Sequence, residues 1–256
     1  MSHCTTVDRL KSDPRFAALK RSLDVYYGDL DREIAMDALY GRFLTKSALA
    51  FDIGSHVGDR IAAFRRLGAR VVALEPQPLC REVLHALYCC DGAVTLMNSA
   101  CGPSPGELTL HVNSANPTVT TASPEFIAAA DGAGGWEGQV WDEKITVPVT
   151  TLDALIAAHG MPGFIKIDVE GFEADVLAGL SQKVPALSFE FTTIQRDVAY
   201  RCLERLQRLG DYGFNIALGE SQQLGFESAL SASQMKAHVA ALPHEANSGD
   251  IYAVLV

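Results

Sequence analysis

The sequence predicts an α/β protein built on a doubly wound sheet, and three stretches predict it. Leu49-Ala50-Phe51 runs into Asp52, glycines follow at 54 and 58, and Ile61-Ala62-Ala63-Phe64 continues at helical spacing, which reads as strand, tight turn and helix. Val71-Val72-Ala73-Leu74 reads as a second buried strand, closed by Glu75-Pro76. Phe164-Ile165-Lys166-Ile167 repeats the plan and ends in Asp168, Glu170 and a turn at Gly171. In a doubly wound sheet the carboxyl ends of the strands frame the ligand crevice, so Asp168 should point into the same crevice as Asp52.

Taken in order, residues 1–47 carry apolar side chains every three to four positions (Phe16, Leu19, Leu23; Met36, Leu39, Tyr40, Phe43), which predicts an N-terminal helical cap. Its Tyr26-Tyr27 pair is a candidate for the pocket wall or the core. Residues 48–256 then form the main domain. Gly68 stops the first helix. A helix over 78–90 and a strand at Val94-Thr95-Leu96-Met97 follow, and the latter delivers Ser99 and Ala100 to the crevice, where an adenine edge could meet a hydroxyl and a backbone N–H. Strands at 106–112 and 144–149 flank an insert, 113–144, that is rich in Asn, Ser, Thr, Ala and Gly and reads either as a lid or as a mobile loop. Thr151 caps a short helix. Ala186–Phe191 is the fifth core strand, residues 198–209 an amphipathic helix, and 214–218 and 251–255 two closing strands with a helix near 231–241 between them. The long last connection suits an antiparallel pair at the sheet edge.

The 256 residues, 48% hydrophobic and 20% charged, suffice for one large α/β domain. A net charge of −10 argues against nucleic acid as partner, because phosphate contacts drive that binding. No apolar run approaches the roughly 20 residues that span a bilayer. Six cysteines without Cys-x-x-Cys spacing argue against a disulfide framework or a zinc site, and a cytoplasmic location is expected.

Charge chooses the ligand. A dinucleotide site uses Gly-x-Gly-x-x-Gly to receive a diphosphate, whereas this turn is Asp-x-Gly-x-x-x-Gly, and a carboxylate beside two phosphates repels them. It suits S-adenosylmethionine, whose ammonium and sulfonium outnumber its one carboxylate. Glu75 lies 21 residues beyond Gly54, the spacing at which an acid meets ribose hydroxyls.

Asp52-Ile53-Gly54 with Gly58, Glu75-Pro76, Thr151-Leu152-Asp153 and Ile165-Lys166-Ile167-Asp168-Val169-Glu170-Gly171 together resemble the FkbM family of S-adenosylmethionine-dependent methyltransferases, over about residues 45–195. The resemblance implies a class I methyltransferase fold, Rossmann-like, with seven strands and one antiparallel edge strand, and O-methylation of a hydroxyl on a small molecule or sugar. It implies that Asp52, Gly54 and Gly58, with Ser55 and His56 in the turn, hold the methionine end, that Glu75 and Pro76 meet the ribose and Ser99 and Ala100 the adenine, and that Asp168 forms the pocket floor. Ser55-His56 departs from the family's usual Ala or Gly followed by Asn.

A hydroxyl attacks well only as its proton leaves, so a general base is expected, and Asp168, Glu170, Glu190, His56 and His244 are the candidates. Each has a second reading: Asp168 as a cofactor contact, Glu170 as a cap on the next helix, Glu190 as a backbone partner, His244 as solvated and His56 as part of the turn. Asp168 with Glu190 could seed a metal site, but no spacing demands one, and none is expected. Two other functions stay open: a nicotinamide-dependent oxidoreductase, and a relative that binds the methyl donor without turnover.

Overall fold

The computed structural model describes residues 3–256; residues 1–2 and the side chains of His3 and Cys4 lie outside it. The chain begins with α1 (His3–Ser12), a 3-10 segment at Pro14–Leu19, α2 (Lys20–Tyr26) and α3 (Leu30–Tyr40). There follow β1 (Leu49–Ile53), α4 (Asp59–Arg66), β2 (Arg70–Leu74), α5 (Pro78–Tyr88), β3 (Val94–Met97), β4 (Ala100–Cys101), β5 (Gly106–Val112), α6 (Pro124–Ala130) and β6 (Glu143–Thr150). The last third holds α7 (Leu152–His159), β7 (Phe164–Ile167), α8 (Glu173–Ala178), β8 (Ala186–Thr192), α9 (Arg196–Leu209), β9 (Tyr212–Leu218), α10 (Ala232–Ala241) and β10 (Ser248–Leu255).

The main sheet runs β3-β2-β1-β7-β8-β10-β9, and only β10 is antiparallel to its neighbours. The chain leaves β1 for β2 and β3, then returns to β7 on the other flank, so the strand order reverses between β1 and β7. That switch point is where an open α/β sheet binds its ligand. The antiparallel strand, expected at the edge, stands one place inside it. Burial explains the order: Gly249–Ala253 is buried without a break, as an interior strand requires, while β9 alternates through Tyr212, Phe214 and Ile216 and takes the edge.

Side chains of β1 alternate between the two faces. Phe51 and Ile53 join Ile165, Ile167, Leu187 and Phe189 in one core layer, covered by α7 to α10. Ala50 and Phe164 lie in the other, against Tyr40, Phe64 and Tyr252. The N-terminal cap is therefore two things. Leu10, Phe16, Leu19 and Leu23 cover Val57, Cys80 and Val83, but α3 is a wall of the main core, with the rings of Tyr40 and Phe64 4.9 Å apart and edge to face.

The strands at 106–112 and 143–150 form a separate sheet, ordered β4-β6-β5. The insert between them is folded. A 3-10 turn at Pro117–Val119 leads to α6, and Val119, Phe126, Ala130 and Trp136 make a small core of their own, the Phe126 and Trp136 rings meeting edge to face at 5.1 Å.

Candidate functional site

A cavity of about 490 Å³ opens at the switch point, and Asp52, Gly54, Ser55, His56, Glu75, Pro76, Ser99, Ala100, Asp168, Glu170 and Glu190 all line it. The turn after β1 is locked by backbone bonds: the N–H groups of Gly54 and Ser55 both donate to the Leu74 carbonyl, and the Asp168 N–H donates to Ile53 at 2.9 Å. Gly54 has φ +86°, and a Cβ there would run into the Asp168 carbonyl oxygen. The Asp52 side chain is 1% exposed, and its Oδ2 has no partner. Burial, with Asp59 nearby, pushes its carboxyl up to about 7. Glu75 accepts the N–H groups of His56 and Gln77, each at 2.8 Å, yet burial raises it to about 7 as well. The Ser99 hydroxyl is buried and unpaired. Asp52 Oδ2 and Ser99 Oγ are thus two buried polar atoms of the cavity lining that hold no protein partner.

Across the cavity the chemistry changes. Lys166, 1% exposed, donates to Asp168 Oδ2 at 2.9 Å and to Asp250 Oδ1 at 2.6 Å. Burial works against ionisation of Asp168, but the Lys166 charge and hydrogen bond outweigh it and hold the carboxyl below its ordinary value. One oxygen from each of Asp168, Glu170 and Glu190 lies within 4.8 Å of the others, close enough to hold one cation and for their charges to couple. Burial first, then the Asp168 charge, pushes Glu170 and Glu190 well above the usual carboxylate range. Glu190 Oε2 is buried without a partner.

Residues 52–216, more than half of the chain, match the methyltransferase FkbM domain. The chain belongs to the FkbM methyltransferase family. It is an S-adenosylmethionine-dependent methyltransferase, and the unpaired Asp52 carboxylate and Ser99 hydroxyl fit a ligand that is cationic at one end and carries hydrogen-bonding groups at the other. Comparison with curated proteins finds no match. Among solved structures the chain is similar to a TehB-like S-adenosylmethionine-dependent methyltransferase from Corynebacterium glutamicum (10% identity, 94% of this chain and 96% of that one, TM-score 0.46). It is also similar to a precorrin-6y C5,15-methyltransferase from Geobacter metallireducens (14%, 88% and 87%, 0.44). A putative RNA methyltransferase from Pyrococcus horikoshii is a further likeness (7%, 88% and 83%, 0.42).

Several expected residues take different posts in this FkbM domain. Gly58 stands outside the cavity lining, and a Cβ there would press on Leu84 and Tyr88, each 2.7 Å away. Glu170 does not cap α8, whose N-cap residue Phe172 makes no side-chain cap bond; Glu173, in the first turn of that helix, instead reaches back into the loop, its Oε1 accepting the N–H groups of Val169 and Gly171 at 3.1 and 3.2 Å. The His56 ring hydrogen-bonds Ser22 Oγ at 2.8 Å, and burial lowers it to about 4, which makes it a poor base at neutral pH. His244 lies outside the lining and contacts the Gly134 carbonyl. Tyr26 lines the cavity; Tyr27 is buried and donates to the Val57 carbonyl.

Other side chains were not singled out from the sequence. Gln77 and Trp136 line the cavity, as do Asp59, Arg60 and Glu220, which Arg32 joins in one ion-pair network. Asp250 had a signal, an acid in the otherwise apolar run Gly249–Leu255, although its partner Lys166 is 84 positions away.

Among the described residues no helix is long and apolar enough to cross a membrane.

Proposed function

We propose that the protein transfers a methyl group to a hydroxyl of a small molecule or carbohydrate. S-adenosylmethionine supplies, when bound, an electrophilic methyl group on a sulfonium. Asp52 holds its cationic methionine end, with the backbone of Gly54, Ser55 and His56 shaping that half; Glu75 and Pro76 meet the ribose, and Ser99 and Ala100 the adenine. Asp168, held ionised by Lys166, takes the acceptor proton, and Glu190 and Glu170 beside it, which hold their own protons, hydrogen-bond the acceptor and orient its hydroxyl. The observation that carries this reading is the carboxylate triad: two groups with raised proton affinity beside one held ionised, a division of labour suited to moving a proton. Alignment of the two reactants can supply about 7–11 kcal/mol of the barrier reduction, and the base roughly 10²–10⁴-fold more.

The net charge of −10 disfavours a nucleic-acid acceptor. The free thiols at Cys80, Cys89, Cys90, Cys101 and Cys202 suit a reducing compartment, so the proposed location is cytoplasmic. The family assignment displaces the nicotinamide alternative. Incubating cell extract with the protein and isotopically labelled donor tests the proposal. A labelled O-methyl product supports it; donor binding with no labelled product points instead to a non-catalytic relative.

A further inference from the structure

The carboxylate triad depends on a backbone conformation that the strand β7 alone does not enforce. Glu170 has φ +54°, a left-handed conformation that residues other than glycine rarely adopt. Gly171 follows at φ +90°. On one side Glu173 grips this loop through the N–H groups of Val169 and Gly171. On the other side stands the insert. Thr121, wholly buried, donates its hydroxyl to the Glu170 carbonyl at 2.6 Å and accepts the Ser123 N–H at 2.9 Å. Phe126 packs so closely that a Cβ on Gly171 would lie 2.8 Å from its ring.

We propose that Thr121 is a positioning residue: by holding the Glu170 carbonyl it keeps the Glu170 peptide left-handed and so keeps the Glu170 carboxylate beside Asp168 and Glu190. The same strand of insert is tied to the donor side. The Thr120 hydroxyl donates to Gln77 Oε1 at 2.9 Å, Gln77 Nε2 donates to the Pro117 carbonyl, and Thr118 lies in hydrogen-bond range of Ser22 Oγ and the His56 ring. Residues 117–121 therefore join both halves of the crevice, and Thr121 is the tie on the acceptor side. Without it the Glu170 peptide can relax to an ordinary φ and carry the carboxylate out of the triad. The inference rests on the methyl-transfer reading only for its effect on rate; its effect on the loop does not.

Thr121→Val keeps shape and removes the donor, while Thr121→Ser keeps the donor. Amide hydrogen exchange of peptide 168–172, followed with no acceptor present, should speed up at least tenfold in Thr121→Val and stay near wild type in Thr121→Ser, with peptide 49–53 unchanged in both. Donor affinity should hold within about twofold, and transfer of labelled methyl should fall about tenfold in the Val variant alone, the loss expected for one buried hydrogen bond. Unchanged exchange in Thr121→Val, or a Ser variant that behaves like Val, overturns the proposal. Faster exchange in a protein whose wild type makes no O-methyl product leaves the positioning role standing and sinks the O-methyl reading.

Discussion

Asp52 and Asp168 end or follow neighbouring parallel strands, β1 and β7, and face the same cavity, yet they are opposites. Asp52 is buried with an unpaired oxygen and is pushed up to about 7. Asp168 has its own cation, Lys166, and is held below its ordinary value. Topology brought two acids to one crevice, and their neighbours gave them different chemistry. The first lacks a positive partner that a ligand can bring; the second is already paired and lends its charge to the triad.

The largest effect expected from this contrast is on rate. Asp168→Asn keeps the shape of the acceptor half but removes its proposed proton acceptor, so turnover of labelled donor should fall by roughly 10²–10⁴-fold. Donor affinity, measured by calorimetry, should change by no more than about twofold. An Asp168→Asn variant of normal rate would dissolve the distinction between the two halves. Next comes stability. Lys166→Met strands Asp168 and Asp250 without their shared cation and should cost about 3–5 kcal/mol in urea unfolding. Asp52→Asn removes no protein ion pair and should leave the ligand-free protein at least as stable as wild type.

A smaller effect appears with pH. Asp52, Glu75 and Glu173 are all raised to about 7 by burial, so in the fold they bind protons more tightly than in the unfolded chain. Their contribution is complete below about pH 4 and is lost as pH rises through about 7. Thermal unfolding of the ligand-free protein should therefore show stability declining across that window, and less steeply in Asp52→Asn. A flat profile would mean that burial does not raise these groups.

Much of this was legible in the sequence because the signals are local. An apolar run, an acid and a spaced glycine fix β1 and its turn, and Ile165–Gly171 fixes β7 in the same way. Strand-end position alone brought Asp52, Glu75, Ser99, Asp168 and Glu190 to one cavity. The rest depends on partners distant along the chain. That β10 lies inside β9 follows from its pairing with β8, a strand 56 or more positions earlier in the chain, and that pairing is what buries Gly249–Ala253 without a break. Asp250 is an acid in a strand until Lys166 meets it. The insert reads as polar loop because its core is four residues spread over Val119 to Trp136, too sparse for any period. Gly58 shows the reverse case: its spacing marks a tight approach, and the approach is to Leu84 and Tyr88 rather than to the cavity.

The central claim is that the Asp52 carboxylate is the seat of a cationic donor. Calorimetric titration of S-adenosylmethionine from pH 5.5 to 8.5 tests it most directly, in wild type and in Asp52→Asn. The donor should bind wild type progressively more weakly as pH falls below about 7, approaching tenfold per pH unit, because Asp52 must lose its proton. The Asn variant should bind about 10–100-fold more weakly at pH 8, with a shallower slope, the part that Glu75 contributes. Equal affinity in the two proteins, or parallel pH profiles, would contradict the account.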